Sequence, residues 1–266
     1  SSRGEYFFPV TTDVNDSRSG FQLSSYDMTT IGWGCAPEVQ FKMNEEYPFM
    51  SGEFVWTGFD YLGEPTPYNK DLTNLLNFSD PNELEKARKE LEELSKIKTP
   101  SRSSYFGIVD LCGFPKDRYY NYKSYWRPDV PTVHILPHWK WQERIGEITP
   151  VHIYTSGDAV ELFLNGKSLG RREKSHSYDR LTWDDVRYEP GSLRAIAYKN
   201  GQKWAEELVE TTGKPAALQV TAEKTELKSD GTDLSFIRVA VVDSQGRVVP
   251  RSKNHLKFSV TGPAEI

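Results

Sequence analysis

Cysteine is nearly absent: Cys35 and Cys112 are the only two thiols in 266 residues. They stand far apart with no C-x-x-C spacing, so no zinc signature is present. Their apolar or tight surroundings predict buried free thiols. Long apolar runs are missing as well. No stretch approaches the ~20 residues that a membrane helix needs, so no membrane span is expected. Positive charge is not in excess, with Lys+Arg 33 against Asp+Glu 38 and a formal net charge of −5. That balance argues against a nucleic-acid binder, which carries a basic face. Histidines number only 5. His134 and His138 have metal-like spacing, but they lie in the β-like, proline-containing run Val133 to Trp139, so no metal site is expected there. There is no G-x-S-x-G elbow, P-loop or G-x-G-x-x-G. The chain opens Ser1-Ser2-Arg3 with neither Met nor signal peptide, which points to a processed or truncated chain and leaves targeting unreadable.

Aromatic residues, by contrast, are abundant at 13%, including 7 Trp and 14 Tyr. Large core side chains account for most of such a share. A sugar-binding surface is the sharper alternative, since ring C–H faces stack on aromatic planes. The length suits about two domains, and three textures follow one another. Residues 1–130 are loop-rich and hold the helical patterns. Residues 131–212 and 213–266 read as short alternating strands with turn signals.

In the first region, Pro37 to Tyr47 predicts a helix with Val39, Met43 and Tyr47 on one stripe. Gly52 to Trp56 reads as a buried strand. Pro81 to Lys98 predicts a surface helix, with Asp80 at the N-cap and Glu83 completing a capping box. A strand is expected at Tyr105 to Leu111, then a helix near Pro115 with Tyr119, Tyr122 and Trp126 on one face. In the second region, Val151 to Tyr154 and Val160 to Leu164 alternate, and Asn165-Gly166 and Asn200-Gly201 are hairpin signals. Trp139 and Trp141 fit a domain-packing seam better than a carbohydrate platform. In the third region, strands are expected at Leu218 to Val220, Phe236 to Val242 and Leu256 to Val260. The region is about half of the ~100 residues of a full sandwich.

A retaining glycosidase needs two carboxylates ~5 Å apart. Glu53, Asp60, Glu64 and Asp110 are the acidic residues near aromatic strand ends, and their spacing proves no catalytic pair.

The stretch Gly52-Glu53-Phe54-Val55-Trp56-Thr57-Gly58-Phe59-Asp60-Tyr61-Leu62-Gly63-Glu64-Pro65-Thr66-Pro67-Tyr68 closely resembles the eighth barrel strand and following loop of glycoside hydrolase family 2 β-galactosidases. Ser101 to Asp110 and Gly113 to Arg118 resemble the segment entering that barrel's last helix, and Trp126-Arg127-Pro128 its exit. Thr155 to Lys167 resembles the sandwich that follows, and Ala222 to Val260 a bacterial immunoglobulin-like domain. The resemblance implies the C-terminal part of a TIM (β/α)8 barrel (1–130), an immunoglobulin-like β-sandwich (131–212) and a second, incomplete immunoglobulin-like domain (213–266). It implies that the nucleophile falls just upstream of Ser1-Ser2-Arg3-Gly4 and the acid/base further upstream, so the chain carries no catalytic residue and Glu5 does not take the nucleophile's place. The substrate-binding residues implied or suggested are Trp56 as the floor under the galactosyl ring, then Asp60, Glu64 and Trp33.

The expected function is thus that of a fragment of a retaining glycosidase acting on terminal β-galactosides. No cofactor is required, the rest of the same polypeptide completes the barrel, and an oligomer is compatible. The resemblance suggests a periplasmic or secreted setting. A non-catalytic carbohydrate-binding or adhesion module of immunoglobulin-like sandwiches is the competing reading. It explains residues 131–266 but not the barrel-like first half.

Overall fold

The computed structural model describes residues 26–27, 34–63, 81–82, 85, 89, 103–104, 106–250, 252–262 and 265. Its best-packed part is a β-sandwich. One sheet holds β1 (Val133–Leu136), β2 (Val151–Thr155) and β5 (Leu181–Trp183) in the order β1-β2-β5. The other holds β3 (Ala159–Leu164), β4 (Lys167–Glu173), β6 (Ser192–Lys199) and β7 (Gln202–Glu210) in the order β4-β3-β6-β7. All the pairs are antiparallel. The two asparagine–glycine turns form as expected. A two-residue hairpin of the favoured twist needs positive φ at both central positions. Asn165 and Gly166 supply 50° and 80°, and Asn200 and Gly201 supply 51° and 77°.

Alternation along the strands then decides the core. Val160, Leu162 and Leu164 of β3 and Leu193, Ala195 and Ala197 of β6 face Val151 and Ile153 of β2 across the sandwich. Trp139, Trp141 and Trp183 fill the space between the sheets. The tryptophan pair 139 and 141 is therefore sandwich core, neither a sugar platform nor a seam between domains. Their indole N–H groups are used internally, Trp139 Nε1 donating to Glu189 O at 3.0 Å and Trp141 Nε1 to His138 O at 2.6 Å. This core is self-contained. We expect residues 131–212, produced alone, to give a β-type circular dichroism spectrum and a single cooperative melt. A segment starting at residue 140 lacks β1 and Trp139 and should not; equal melts for both would contradict this core assignment.

The first region has α1 (Pro37–Glu46) and α2 (Asp117–Trp126). The α1 stripe differs from expectation: Val39 and Tyr47 are exposed, and Pro37 and Phe41 are buried. Phe41 stacks on Tyr125 with centroids 4.0 Å apart and meets Tyr122 edge-on at 5.4 Å. One large ring aimed at α2 outweighs the weaker stripe. Trp126 is likewise exposed, and α2 buries Asn121, Tyr122 and Ser124. The run Gly52 to Trp56 is not a buried strand. It has no strand assignment, and Phe54 and Trp56 are exposed, because no described segment lies along its edges. Residues 106–111 form only isolated bridges, Val109 to Phe59 (parallel) and to Pro115 (antiparallel). Of the expected helix at 81–98, Pro81, Asn82, Glu85 and Lys89 are described, all helical. Both cysteines are exposed, contrary to the expected burial, since each lies in a turn or coil outside the packed layers. No described helix is long and apolar enough to cross a membrane.

Every residue of β2 is buried, on both faces. One face is the sandwich core; the other meets the first region. There Tyr154 Oη donates to Asp27 Oδ2 at 3.0 Å, and Arg118 Nε donates to Asp27 Oδ1 at 3.1 Å. Arg180 donates to Glu38 Oε1 and to Tyr26 O, both at 2.6 Å, with its guanidinium 4.9 Å from the Tyr154 ring centroid. His134 of β1 bridges Asp117 of α2 at 3.0 Å and Glu207 of β7 at 3.3 Å, and stacks on Tyr120 at 3.9 Å. This pairing commits both ring nitrogens of the histidine.

Burial pulls the His134 pKa down, but the two carboxylates outweigh it and hold the imidazolium up at about 9, above its ordinary 6.5. A raised folded pKa stabilises fully below the unfolded value, and the contribution is lost as pH rises through the folded one. The His134 contribution, roughly 3 kcal/mol at most, is thus expected to disappear between about pH 6.5 and pH 9. Lys174 is pushed down from 10.5 to about 8, chiefly by burial, so its contribution changes with opposite sign between about pH 8 and pH 10.5 and overlaps the upper end of that window. The difference in melting temperature between the unaltered chain and His134→Gln cancels it. A difference independent of pH would refute the assignment.

The third region contains β8 (Ala217–Ala222) and β9 (Ile237–Val242), an antiparallel pair with Leu218, Val220 and Ile237 exposed. No strand forms at Leu256 to Val260, because among the described residues only β8 and β9 pair there. The pair is anchored by Asp243, whose buried carboxylate accepts from Gly213 N at 2.8 Å and from Arg247 Nη2 at 2.8 Å. Arg247 and then the Gly213 N–H hold that carboxyl well below its usual range. The connection between the two β-units is thereby pinned at its midpoint.

Candidate functional site

The segment 56–61 and the segment 104–116 support each other through their backbones. Ile108 N donates to Thr57 O and Val109 N to Gly58 O, both at 3.0 Å; Asp60 N donates to Val109 O at 2.9 Å. Ser104 N donates to Tyr61 O at 2.7 Å, and Tyr61 N donates to Ser104 Oγ at 3.1 Å. Gly107 is required where the segments touch, since a Cβ there would lie 2.1 Å from Asp60 N.

This frame presents Trp56. Its side chain is 73% exposed, yet its orientation is constrained. The indole Nε1 donates to Tyr61 Oη at 2.9 Å, and the two rings meet edge-to-face at 5.9 Å. The Trp56–Thr57 peptide is cis. Phe54, Phe59 and Leu62 extend the exposed apolar surface around it. A flat indole held by its own N–H leaves a face open to the C–H side of a ligand.

Asp60 is 4% exposed and turned into the protein. Its Oδ1 accepts from Gly107 N at 2.8 Å and from Lys116 Nζ at 2.7 Å. Burial lowers the Lys116 pKa, and the Asp60 contact opposes that. These contacts make Asp60 a brace between the two segments. Asp110 is likewise structural, its Oδ1 capping a turn by accepting from Cys112 N at 2.8 Å and Phe114 N at 2.9 Å. Glu53 is exposed. Trp33 and Glu64 lie outside the described residues. Tyr61 and Lys116 escaped the sequence reading. Nothing in spacing links Lys116 to Asp60, which only the turn at 110–114 brings within reach. Among the described residues no group of three or more His, Cys, Asp or Glu is placed to hold a metal ion.

Residues 146–205 match a family model described as a domain of unknown function (DUF4982), and residues 218–266 match "Glycoside hydrolase family 2 C-terminal domain 5". The β-galactosidase BoGH2A of Bacteroides ovatus is 38% identical over 97% of this chain and 26% of its own length. A putative β-glucuronidase of Formosa agariphila is 30% identical over 90% of this chain and 20% of its own length. The crystal structure of a β-glycosidase from Bacteroides vulgatus superposes with a TM-score of 0.69 at 28% identity, covering 89% of this chain and 26% of that one. The chain thus spans about a quarter of the length of these relatives. Nearly the whole chain thus matches the C-terminal portions of glycoside hydrolase family 2 proteins.

Proposed function

We propose that this chain is the C-terminal portion of a retaining β-galactosidase that hydrolyses terminal β-galactosides. In this reading, residues 1–130 are the last part of the TIM barrel, 131–212 an immunoglobulin-like sandwich, and 213–266 a second immunoglobulin-like domain. Trp56 is the floor of the sugar site, Asp60 braces it, and Glu64 and Trp33 are further substrate-binding residues. The observation that carries the reading is the exposed, hydrogen-bonded indole of Trp56 on a doubly supported loop. The B. ovatus β-galactosidase, matched over nearly the whole chain, supports the galactoside preference. A neutral sugar also fits the neutralisation of Lys116 by Asp60, which leaves that cation committed instead of offered to a substrate carboxylate.

In this reading both carboxylates of the hydrolytic pair lie upstream of these residues. The 266-residue chain is therefore expected to show no turnover of a chromogenic β-galactoside. A longer polypeptide of the same protein should turn it over in preference to the matching β-glucuronide, and Trp56→Ala should reduce kcat/KM at least ~100-fold, the size of a lost stacking and positioning contact. Preference for the glucuronide would overturn the substrate assignment. Turnover by the 266-residue chain alone would overturn the placement of the pair.

A further inference from the structure

A notch of about 10 Å³ lies between α2 and the sandwich, on the side of β2 away from the core. Two of its lining side chains come from one face of α2, three residues apart, where helical spacing makes them neighbours. Asn121 is 4% exposed and Ser124 6% exposed. Neither Asn121 Nδ2 nor Ser124 Oγ has a hydrogen-bond partner in the protein. A buried amide N–H or hydroxyl without a partner costs on the order of 1–3 kcal/mol, so two at one point mark a site for something that completes them.

Lys174 enters from the sandwich side. Its ammonium donates to Thr155 O at 2.8 Å and Ser177 O at 2.6 Å, leaving one of its three N–H groups for the notch. Several other polar groups of the lining are committed elsewhere. Asp179 Oδ2 accepts from Ser175 N at 3.0 Å and His176 N at 2.7 Å. Tyr154 Oη donates to Asp27 at 3.0 Å, and Tyr125 is hydrogen-bonded to Glu45. Two donors, Asn121 Nδ2 and the remaining Lys174 N–H, and the Ser124 hydroxyl, which turns to suit, are thus left for the notch, beside the Tyr178 hydroxyl and the second oxygen of Asp179.

We propose that this notch binds one small lone-pair ligand, a water molecule or a halide ion, that ties α2 to the sandwich through Asn121, Ser124 and Lys174. The volume accommodates a single particle of that size. Such a ligand would supply the link that α2 lacks between its Asp117–His134 contact at one end and the Phe41 stack on Tyr125 near the other.

The test is a crystal structure of the 266-residue chain, grown once in chloride-free buffer and once in sodium bromide. The expected result is a density peak within about 3.2 Å of both Asn121 Nδ2 and Ser124 Oγ. An anomalous signal at the bromine edge in the second crystal assigns a halide, and a peak without it assigns water. No peak, or Asn121 and Ser124 turned onto protein groups, overturns the proposal. In solution the Asn121 side-chain amide protons serve as a second readout. A long-lived nuclear Overhauser effect to water, or a saturable shift on adding bromide, supports the site. The absence of both effects overturns it.

Discussion

Replacing Asp60 by alanine is expected to lower the unfolding free energy by about 3–5 kcal/mol, the usual cost of stranding one partner of a buried ion pair. Asp60 and Lys116 side chains are 2% and 13% exposed and 2.7 Å apart. The substitution leaves a desolvated ammonium and an unpaired Gly107 N–H. Adding Lys116→Met removes the ammonium and should recover part of the loss; the Gly107 N–H remains unpaired. Urea titrations of the single and double variants measure both effects. A single-variant cost below about 1 kcal/mol, typical of an exposed pair, would show that the brace is solvated. The functional consequence separates brace from contact. In the longer polypeptide, Asp60→Ala should weaken both stability and substrate use, while Trp56→Ala should impair substrate use and leave the melting temperature unchanged.

Arg180→Ala is expected to have an effect of similar size, about 3–5 kcal/mol, but confined to the seam. Arg180 and Glu38 side chains are 11% and 18% exposed, so removing the guanidinium strands a largely desolvated carboxylate. It also removes the donor to Tyr26 O and the cation over Tyr154. The sandwich core contains none of these groups. The loss should therefore release residues 34–63 from β2 before the sandwich unfolds. Hydrogen exchange would show faster exchange at 37–46 and 56–61 with residues 159–164 and 192–210 unchanged. Uniform acceleration across the chain would mean that the two regions unfold as one unit and that the seam is not separable.

The elements most legible beforehand are those whose cause is local. Asn165-Gly166 and Asn200-Gly201 specify hairpins because few other dipeptides tolerate positive φ twice in succession. The alternation of Val160, Leu162 and Leu164 needs only a sheet with one buried face, which the turns then supply. The α1 boundary follows from Pro37 in the first turn. The misjudged elements depend on distant partners. Val39, Met43 and Tyr47 form a stripe with nothing opposite, while Phe41 finds Tyr122 and Tyr125 some 80 residues on. Gly52 to Trp56 has strand composition but no described neighbour to pair with. The cysteines sit among apolar residues in the chain and in exposed turns in space.

The same division runs through the site. The resemblance of the long motif around Trp56 pointed to the family and put an indole in the loop, because a motif is a property of consecutive residues. Whether Asp60 meets a ligand or Lys116 depended on folding. A carboxylate's role is set by which charge comes within ~4 Å of it, and here that charge lies 56 residues away. The burial of Trp139 and Trp141, the capture of His134 between Asp117 and Glu207, and the gathering of Asn121, Ser124 and Lys174 at one notch have the same origin. Each joins side chains from separate elements, and no sequence period encodes the distance between elements that pack face to face.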